Sequence, residues 1–419
     1  MKILWFANTP CGAIKKLSAH NISGGWLSAL EQHLVQEENV ELHVAFYYSM
    51  RIDDFEYEGV YYHPLYDSRF NGKLNILIEN YREYFFGFKN HAPSLLFSVI
   101  DRVKPDLIHI HGTELDFGLV QKANLRVPVV VSIQGVLSSC YEKLYSGIPL
   151  DVVSKYESLF QKLTFTNAKM SEKRFRFGAE REREILKNSK YVIGRTDFDR
   201  HATLAINPSL KYFIGDEILR TEFYSAEWAK SKFNEGFTII STISSGYYKG
   251  LEVVLRTARN LKAIGFDFRW YVIGQTELSQ NAKTMSKWLG KSFLENHVEM
   301  LGYKTGAEIV DLLREADVFC QVGHIENSPN SVCEAMMLGM PIVASYAGGT
   351  SSILEHGKEG YLLQDGDSYS LAGTLIEVSR NFSQAKEWGM NARKRALVRH
   401  NPQRVVKEYV DIYTELVNE

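Results

Sequence analysis

Short apolar runs alternate with helix-length amphipathic stretches along this chain, and that alternation limits the fold more than any other feature. In the first half, strand-like runs fall at Ile3 to Ala7, Glu41 to Tyr47, Leu107 to His111, Val127 to Ile133 and Tyr191 to Gly194. Helical patterns lie between them, for example Trp26 to Gln36, Ala92 to Val103 and Glu172 to Lys187. In the second half the strands are Phe237 to Ile243, Arg269 to Ile273, Val298 to Leu301, Val318 to Val322, Pro341 to Ser345 and Gly360 to Leu363. Their helices include Leu251 to Ile264, Gly306 to Glu315, Ser331 to Leu338 and Ser370 to Ser379. Alternation of this kind builds parallel sheets covered by helices on both faces. A length of 419 residues exceeds one ordinary core, so the expectation is an α/β chain of two doubly wound domains. The boundary falls in Asn207 to Gly236, where strand periodicity lapses, dividing the chain into 1–210 and 211–400. Residues 402–419 carry a helical apolar stripe: Val405, Val406, Tyr409, Ile412, Tyr413 and Leu416. Doubly wound sheets bind ligands beyond the carboxyl ends of their strands, and a cleft between two facing sheets is the expected site.

The net charge of -2 gives no general attraction to nucleic acid. Cys11, Cys140, Cys320 and Cys333 form no CxxC pair, which argues against a zinc site or a disulfide framework and suits a reducing cytoplasm. Met1 to Asn8 is too short for a signal peptide and reads as a first strand. No window has the length and apolarity of a membrane span. Residues 162–190 mix Lys and Arg with Glu172, Glu180, Glu182 and Glu184. Such a run is a solvated helix face or, alternatively, a membrane-surface patch.

Four segments carry groups suited to chemistry. Gly24-Gly25, after the first strand and before a helical pattern, lets backbone approach a phosphate at a helix N-terminus; plain turn chemistry is the alternative. Ser244-Ser245-Gly246-Tyr247-Tyr248-Lys249-Gly250 follows the first strand of the second half. There Lys249 can supply charge to a diphosphate, or be a solvated lysine at a helix start. GxxxxGK[ST] is absent, so ATP hydrolysis has no support. The third segment runs His324-Ile325-Glu326-Asn327-Ser328-Pro329-Asn330-Ser331-Val332-Cys333-Glu334, placing one carboxylate in a loop and one in the first helical turn. Ser331 to Glu334 also matches a capping box, in which Glu334 satisfies backbone N–H groups. The fourth is Asp106 to Gly112, with Ser132-Ile133-Gln134-Gly135 after the next strand. Strand alternation sends Leu107, His109 and His111 to one face. His109 reads as a core histidine. His111 stands at the carboxyl end, as a ligand-facing group or a strand-end hydrogen bonder.

Together these segments resemble the GT-B glycosyltransferases of family 4, which are retaining and use nucleotide sugars. Glu326 and Glu334 match that family's E-x7-E motif, and Lys249-Gly250 its Lys-Gly. Val298 to Tyr303 resembles its base-contacting strand and loop, including Gly302 and Tyr303. Gly339 to Ser345, Gly348-Gly349 and Gly357 to Leu363 resemble the segments that follow. The resemblance implies a GT-B fold: two Rossmann-like domains facing a deep cleft, acceptor on the N-terminal side, donor on the C-terminal side. It also implies that the C-terminal helix 402–419 packs back on the N-terminal domain. By the same resemblance Glu334 would bind ribose hydroxyls and Glu326 would sit beside the transferred sugar. Ser328, Pro329, Asn330 and Ser331 would hold sugar hydroxyls or phosphate. Lys249 would stabilise the departing diphosphate, helped by amides at Gly24 and Gly25, with no metal and no further cofactor. His111 and Gln134 would lie on the acceptor side, His111 among the catalytic groups with Glu326 and Lys249. Two departures stand out. Ser244 occupies the place of a frequent arginine, and Gln134 that of a frequent histidine; glutamine can hydrogen-bond a sugar but cannot carry a proton at neutral pH.

The implied activity is transfer of a sugar, with retention, from a UDP- or GDP-linked donor to a carbohydrate or lipid-linked saccharide acceptor, in polysaccharide or glycoconjugate biosynthesis. The expected setting is cytoplasmic, with peripheral contact at the inner membrane face if the acceptor is lipid-linked. The alternatives are another GT-B nucleotide-sugar enzyme, such as an epimerase, and an inactive nucleotide-sugar-binding protein.

Overall fold

The computed structural model describes residues 1–17, 25–67, 69 and 72–419. The chain forms two compact units. Unit 1 comprises Met1–Tyr141, Ser158–Ile218 and His400–Glu419; unit 2 comprises Glu142–Glu157 and Leu219–Arg399.

Unit 1 is built on strands β1 (Lys2–Ala7), β2 (Glu41–Tyr48), β3 (Phe55–Tyr57), β4 (Val60–Tyr66), β5 (Leu107–His111), β6 (Val129–Ser132), β7 (Tyr191–Gly194) and β8 (Lys211–Ile214). They form an 8-stranded sheet in the order β3-β4-β2-β1-β5-β6-β7-β8. Every pair is parallel except β3 with β4. Unit 2 holds β9 (Phe237–Thr242), β10 (Phe268–Ile273), β11 (Val298–Gly302), β12 (Val318–Gln321), β13 (Ile342–Ser345) and β14 (Tyr361–Leu363). Its 6-stranded parallel sheet runs β11-β10-β9-β12-β13-β14. The order of the parallel strands reverses at β1/β5 in unit 1 and at β9/β12 in unit 2. Crossovers diverge there, leaving a crevice beyond the strand ends.

The expected strands are present to within a few residues, and β3, β4 and β8 are additional. Pro64 disguises β4, because proline cannot donate to a sheet ladder. It is tolerated because β3 pairs only with Val60–Tyr62, leaving β2 as the partner strand at Pro64. Strand β8 lies on the wrong side of the expected 210/211 division. It pairs with β7 in the sheet of unit 1, so that unit runs on to Ile218. Residues 142–157 depart from the expected division too, since they group with unit 2.

The helix Pro402–Asn418 starts with a proline at its first turn and an Asn401 side chain that accepts from Arg404 N. Its buried residues are Val405, Val406, Tyr409, Ile412, Tyr413 and Leu416, the apolar stripe of the sequence. It packs on unit 1 through a buried polar cluster. His109 on β5 meets Tyr413 Oη at 2.6 Å through Nδ1 and Ser132 Oγ at 2.6 Å through Nε2. Trp5 Nε1 donates to the same Tyr413 hydroxyl at 3.2 Å. Burial pushes the His109 pKa down to about 3, so the ring is a neutral core group with both nitrogens satisfied.

The charged run 162–190 is mostly the helix Ala168–Lys187, whose Asn167 cap accepts from Met170 N. Glu182 departs from the solvated reading. It is wholly buried and accepts from Thr113 Oγ1 at 2.7 Å, Leu137 N at 2.9 Å and Ser138 N at 2.8 Å. The carboxylate thus caps the short helix Leu137–Lys143 from a distant part of the chain.

Replacing Tyr413 by Phe leaves the ring and removes the shared hydroxyl. Urea unfolding should show a loss of about 1–3 kcal/mol in the transition of unit 1, the cost of orphaning buried partners. An unchanged midpoint would mean that the cluster contributes nothing.

Candidate functional site

In unit 2 the reversal of strand order makes β9 and β12 neighbours, so the loops after them lie side by side. Lys249 is carried by the first loop and Glu326 by the second. The chain leaves β9 through Ser244, turns at Gly246 and forms a single 3-10 turn, Tyr247–Lys249, before the helix Leu251–Ala263. Gly250 joins them with φ +78°, and a Cβ there would run into the carbonyl oxygen of Val322 in the second loop. No side chain is compatible with that approach.

Lys249 Nζ lies 2.8 and 2.9 Å from the two carboxylate oxygens of Glu326, with both side chains half-buried. Gln321 Nε2 approaches the same carboxylate at 3.5 Å. The backbone of Glu326 is held as firmly as its side chain. Its carbonyl accepts from Gly349 N at 2.9 Å. Gly348, at φ +54°, crosses so closely that a Cβ would overlap that carbonyl.

A buried charged triad anchors the start of the second loop. His324 N donates to Tyr248 O at 2.8 Å, tying the two loops together. Its ring places Nε2 2.7 Å from Glu252 Oε1 and Nδ1 3.0 Å from Asp365 Oδ2. Burial by itself would lower the His324 pKa, but the two carboxylates outweigh it and raise it above the usual value. The two carboxylates therefore favour the protonated form of His324. Sequence reasoning assigned it no role, because Glu252 and Asp365 are far from it along the chain.

The helix Asn330–Leu338 begins at Pro329, which needs no N–H there. No side chain caps it, so the capping-box reading of Ser331 and Glu334 does not hold. Glu334 points instead to Arg220, with Oε1 2.9 Å from Nε and 2.8 Å from Nη2. Burial pushes the Glu334 carboxyl up to about 7, and Arg220 opposes the rise. Arg220 is a cation that the sequence could not associate with Glu334 across 114 positions. Asn330 is exposed, and Ser328 and Ser331 are partly so. Gly302 ends β11 with its N–H on Gln275 O at 2.8 Å, and Tyr303 beside it is exposed. Ser244 is exposed at the mouth of the first loop.

Unit 1 corrects one expectation. His111 does end β5 at the β1/β5 reversal, yet it is fully buried. It packs against Trp5, His109 and Trp26 with ring centroids 4.3, 3.8 and 6.0 Å apart. Neither ring nitrogen has a hydrogen-bond partner among the described residues. Burial, with His109 and Arg195 nearby, drives its pKa well below the ordinary value, so it is a neutral ring without solvent contact. Gln134 Nε2 donates to the His111 carbonyl at 3.1 Å. Gly25 opens the helix Gly25–Leu34, while Gly24 lies outside the described residues.

Residues 225–395 match the family described as glycosyl transferases group 1. The chain carries a group 1 glycosyl transferase domain. The matched residues include Lys249, Glu326 and Glu334, while Arg220 lies just before them. The amylovoran biosynthesis glycosyltransferase AmsK of Erwinia amylovora is 28% identical over 193 residues, 45% of this chain. The match spans 47% of AmsK, so the chain covers about half the length of that relative. Among solved structures, sucrose-phosphate synthase from Thermosynechococcus elongatus superposes with a TM-score of 0.72 at 14% identity, over 99% of this chain and 98% of the other. HepE from Anabaena, in complex with UDP and glucose, gives 0.63 at 16% identity, over 99% of each chain. Likeness at these identities establishes the fold, which is GT-B.

The His324 triad predicts a pH dependence. A group whose pKa is raised by folding contributes stability that is full below its unfolded value and is lost as pH rises through its folded value. The melting temperature of the wild type should exceed that of His324→Gln most at pH 6 or below. The gap should narrow as pH climbs above about 6.5. A gap that is constant or widens with pH would show that His324 is not held as a cation.

Proposed function

We propose that this protein is a retaining glycosyltransferase of polysaccharide biosynthesis, moving a sugar from a nucleotide-sugar donor to a carbohydrate or lipid-linked saccharide acceptor. The observation that carries the reading is the meeting of Lys249 and Glu326 at the strand reversal of unit 2, with the Glu334–Arg220 pair on the helix that follows. The naming of AmsK as a polysaccharide enzyme and the UDP-bound structures of HepE support it.

In this reading Glu334 accepts hydrogen bonds from the ribose hydroxyls, and Arg220 fixes its orientation. The start of the helix Asn330–Leu338, with Ser328 and Ser331, faces the sugar or phosphate. Lys249 stabilises negative charge on the diphosphate as the glycosidic bond breaks. Its ammonium is already aimed by Glu326, so little reorganisation is needed at the moment of bond cleavage. Glu326 then acts twice, positioning Lys249 and lying beside the transferred sugar. The departing phosphate accepts the acceptor's proton on the same face, so this chain supplies no separate base. His111 is buried and neutral, and we assign it to the architecture around β5. We assign Gln134 to the same region.

Lys249→Ala removes the cation while leaving the fold. Release of nucleoside diphosphate in the presence of acceptor should fall by about 10²–10³-fold, as for loss of one preorganised charge donor. Its melting temperature should remain close to that of the wild type. Release unaffected by the substitution would remove Lys249 from the mechanism. Wild-type protein that binds a nucleotide sugar but releases no nucleotide with any saccharide acceptor would favour a binding protein instead.

A further inference from the structure

Unit 1 displays a concentrated apolar surface. The helix Gly72–Phe86 has Leu74, Ile78, Tyr81 and Phe85 at spacings of four, three and four, which is a single stripe on a helix. A stripe of this kind normally faces a core, yet these four residues are between 41% and 69% exposed. Beside it the short helix Leu159–Leu163 exposes Leu159, Phe160 and Leu163, each at 67% or more. The two helices are joined. Tyr81 Oη donates to Leu163 O at 3.3 Å, and Asn80 Nδ2 to Thr164 O at 2.9 Å. The Phe165 ring sits 4.7 Å from that of Tyr81 and 4.2 Å from that of Tyr84. Scattered single apolar residues are normal on a surface; a joined group of this size marks a contact site.

The charges around it are mainly positive. Lys162, Lys169 and Lys173 are exposed, and Lys173 Nζ lies 5.5 Å from the centre of the Tyr84 ring. Arg82 is exposed on the stripe helix and reaches Glu79 at 3.0 Å. Of the nearby acids, Glu83 is paired with Arg174 at 2.7 Å, Glu180 lies 4.0 Å from Arg176, and Glu172 is half-buried. Among the described residues no helix is long and apolar enough to cross a membrane. An amphipathic helix with an exposed apolar stripe and a basic rim suits the interfacial plane of a bilayer.

We propose that Gly72–Phe86 and Leu159–Leu163 form one docking surface for an anionic lipid bilayer. The apolar side chains enter the boundary between headgroups and acyl chains, and Lys162, Lys169, Lys173 and Arg82 meet the phosphates. This surface is independent of the donor site in unit 2, so failure of either assignment leaves the other standing.

The test is vesicle co-sedimentation of the full chain. One vesicle set is phosphatidylcholine alone; the other contains about one-third phosphatidylglycerol. Wild type should bind the anionic vesicles at least about tenfold more tightly than the neutral ones, and added salt should weaken binding. The exposed-residue variant Phe85→Ser/Leu159→Ser/Phe160→Ser/Leu163→Ser should lose binding while keeping its circular dichroism and melting temperature. Lys162→Glu/Lys169→Glu/Lys173→Glu should lose the preference for anionic vesicles. The proposal is overturned if wild type binds neither set, if it binds both alike, or if the serine variant binds as wild type does. Self-association in sedimentation velocity that the serine variant abolishes, without vesicle binding, would assign the surface to a second copy of the chain.

Discussion

The contact between Gly348 and the carbonyl of Glu326 decides whether unit 2 can have a site at all. That carbonyl accepts from Gly349 and leaves no room for a Cβ on Gly348. The loop after β12 is thereby clamped against the loop after β13. At its other end the His324 N–H holds Tyr248, and the Glu252–His324–Asp365 triad fixes the ring beneath. Lys249 and Glu326 then meet at 2.8 Å as a consequence of backbone packing. A buried pair such as Glu252 with His324 contributes little net stability once desolvation is counted. Its effect is to select one arrangement of two loops that would otherwise have several.

Burial separates the two carboxylates of the motif. Glu326 sits against a lysine at a partly solvated surface. Glu334 is sealed in, and its carboxyl rises to about 7 even with Arg220 at 2.8 Å. The two carboxylates of the motif therefore have different environments. One is paired with Lys249 and the other with Arg220.

Much of this was legible in the chain. Periodicity located the strands of both sheets because buried parallel strands are apolar runs with little else to confuse them. The C-terminal stripe named every buried residue of its helix. Spacing placed Lys249 and Glu326 at strand ends, and their adjacency follows from strand order. What stayed hidden were partners distant in sequence: Arg220 for Glu334, Glu252 and Asp365 for His324, and Glu182 under the helix Leu137–Lys143. Local pattern even suggested a capping role for Glu334, because Ser331 and Glu334 have capping-box spacing. The helix in fact starts at Pro329, and Glu334 turns to Arg220. His111 misled for a related reason. A strand-end position is ligand-facing only if nothing covers it, and Trp5 and Trp26 cover this one.

In the reading proposed above, Glu334 binds nucleotide through an ionised carboxylate that titrates near neutrality. Calorimetric titration of a nucleoside diphosphate at pH 8 and pH 6 tests it, using wild type and Glu334→Gln. With a pKa of about 7, the ionised fraction falls roughly tenfold over that range. Wild-type affinity should fall by about that factor beyond any change seen in the variant, which shares the ligand's own titration. Equal affinities and parallel pH courses in the two proteins would contradict the account.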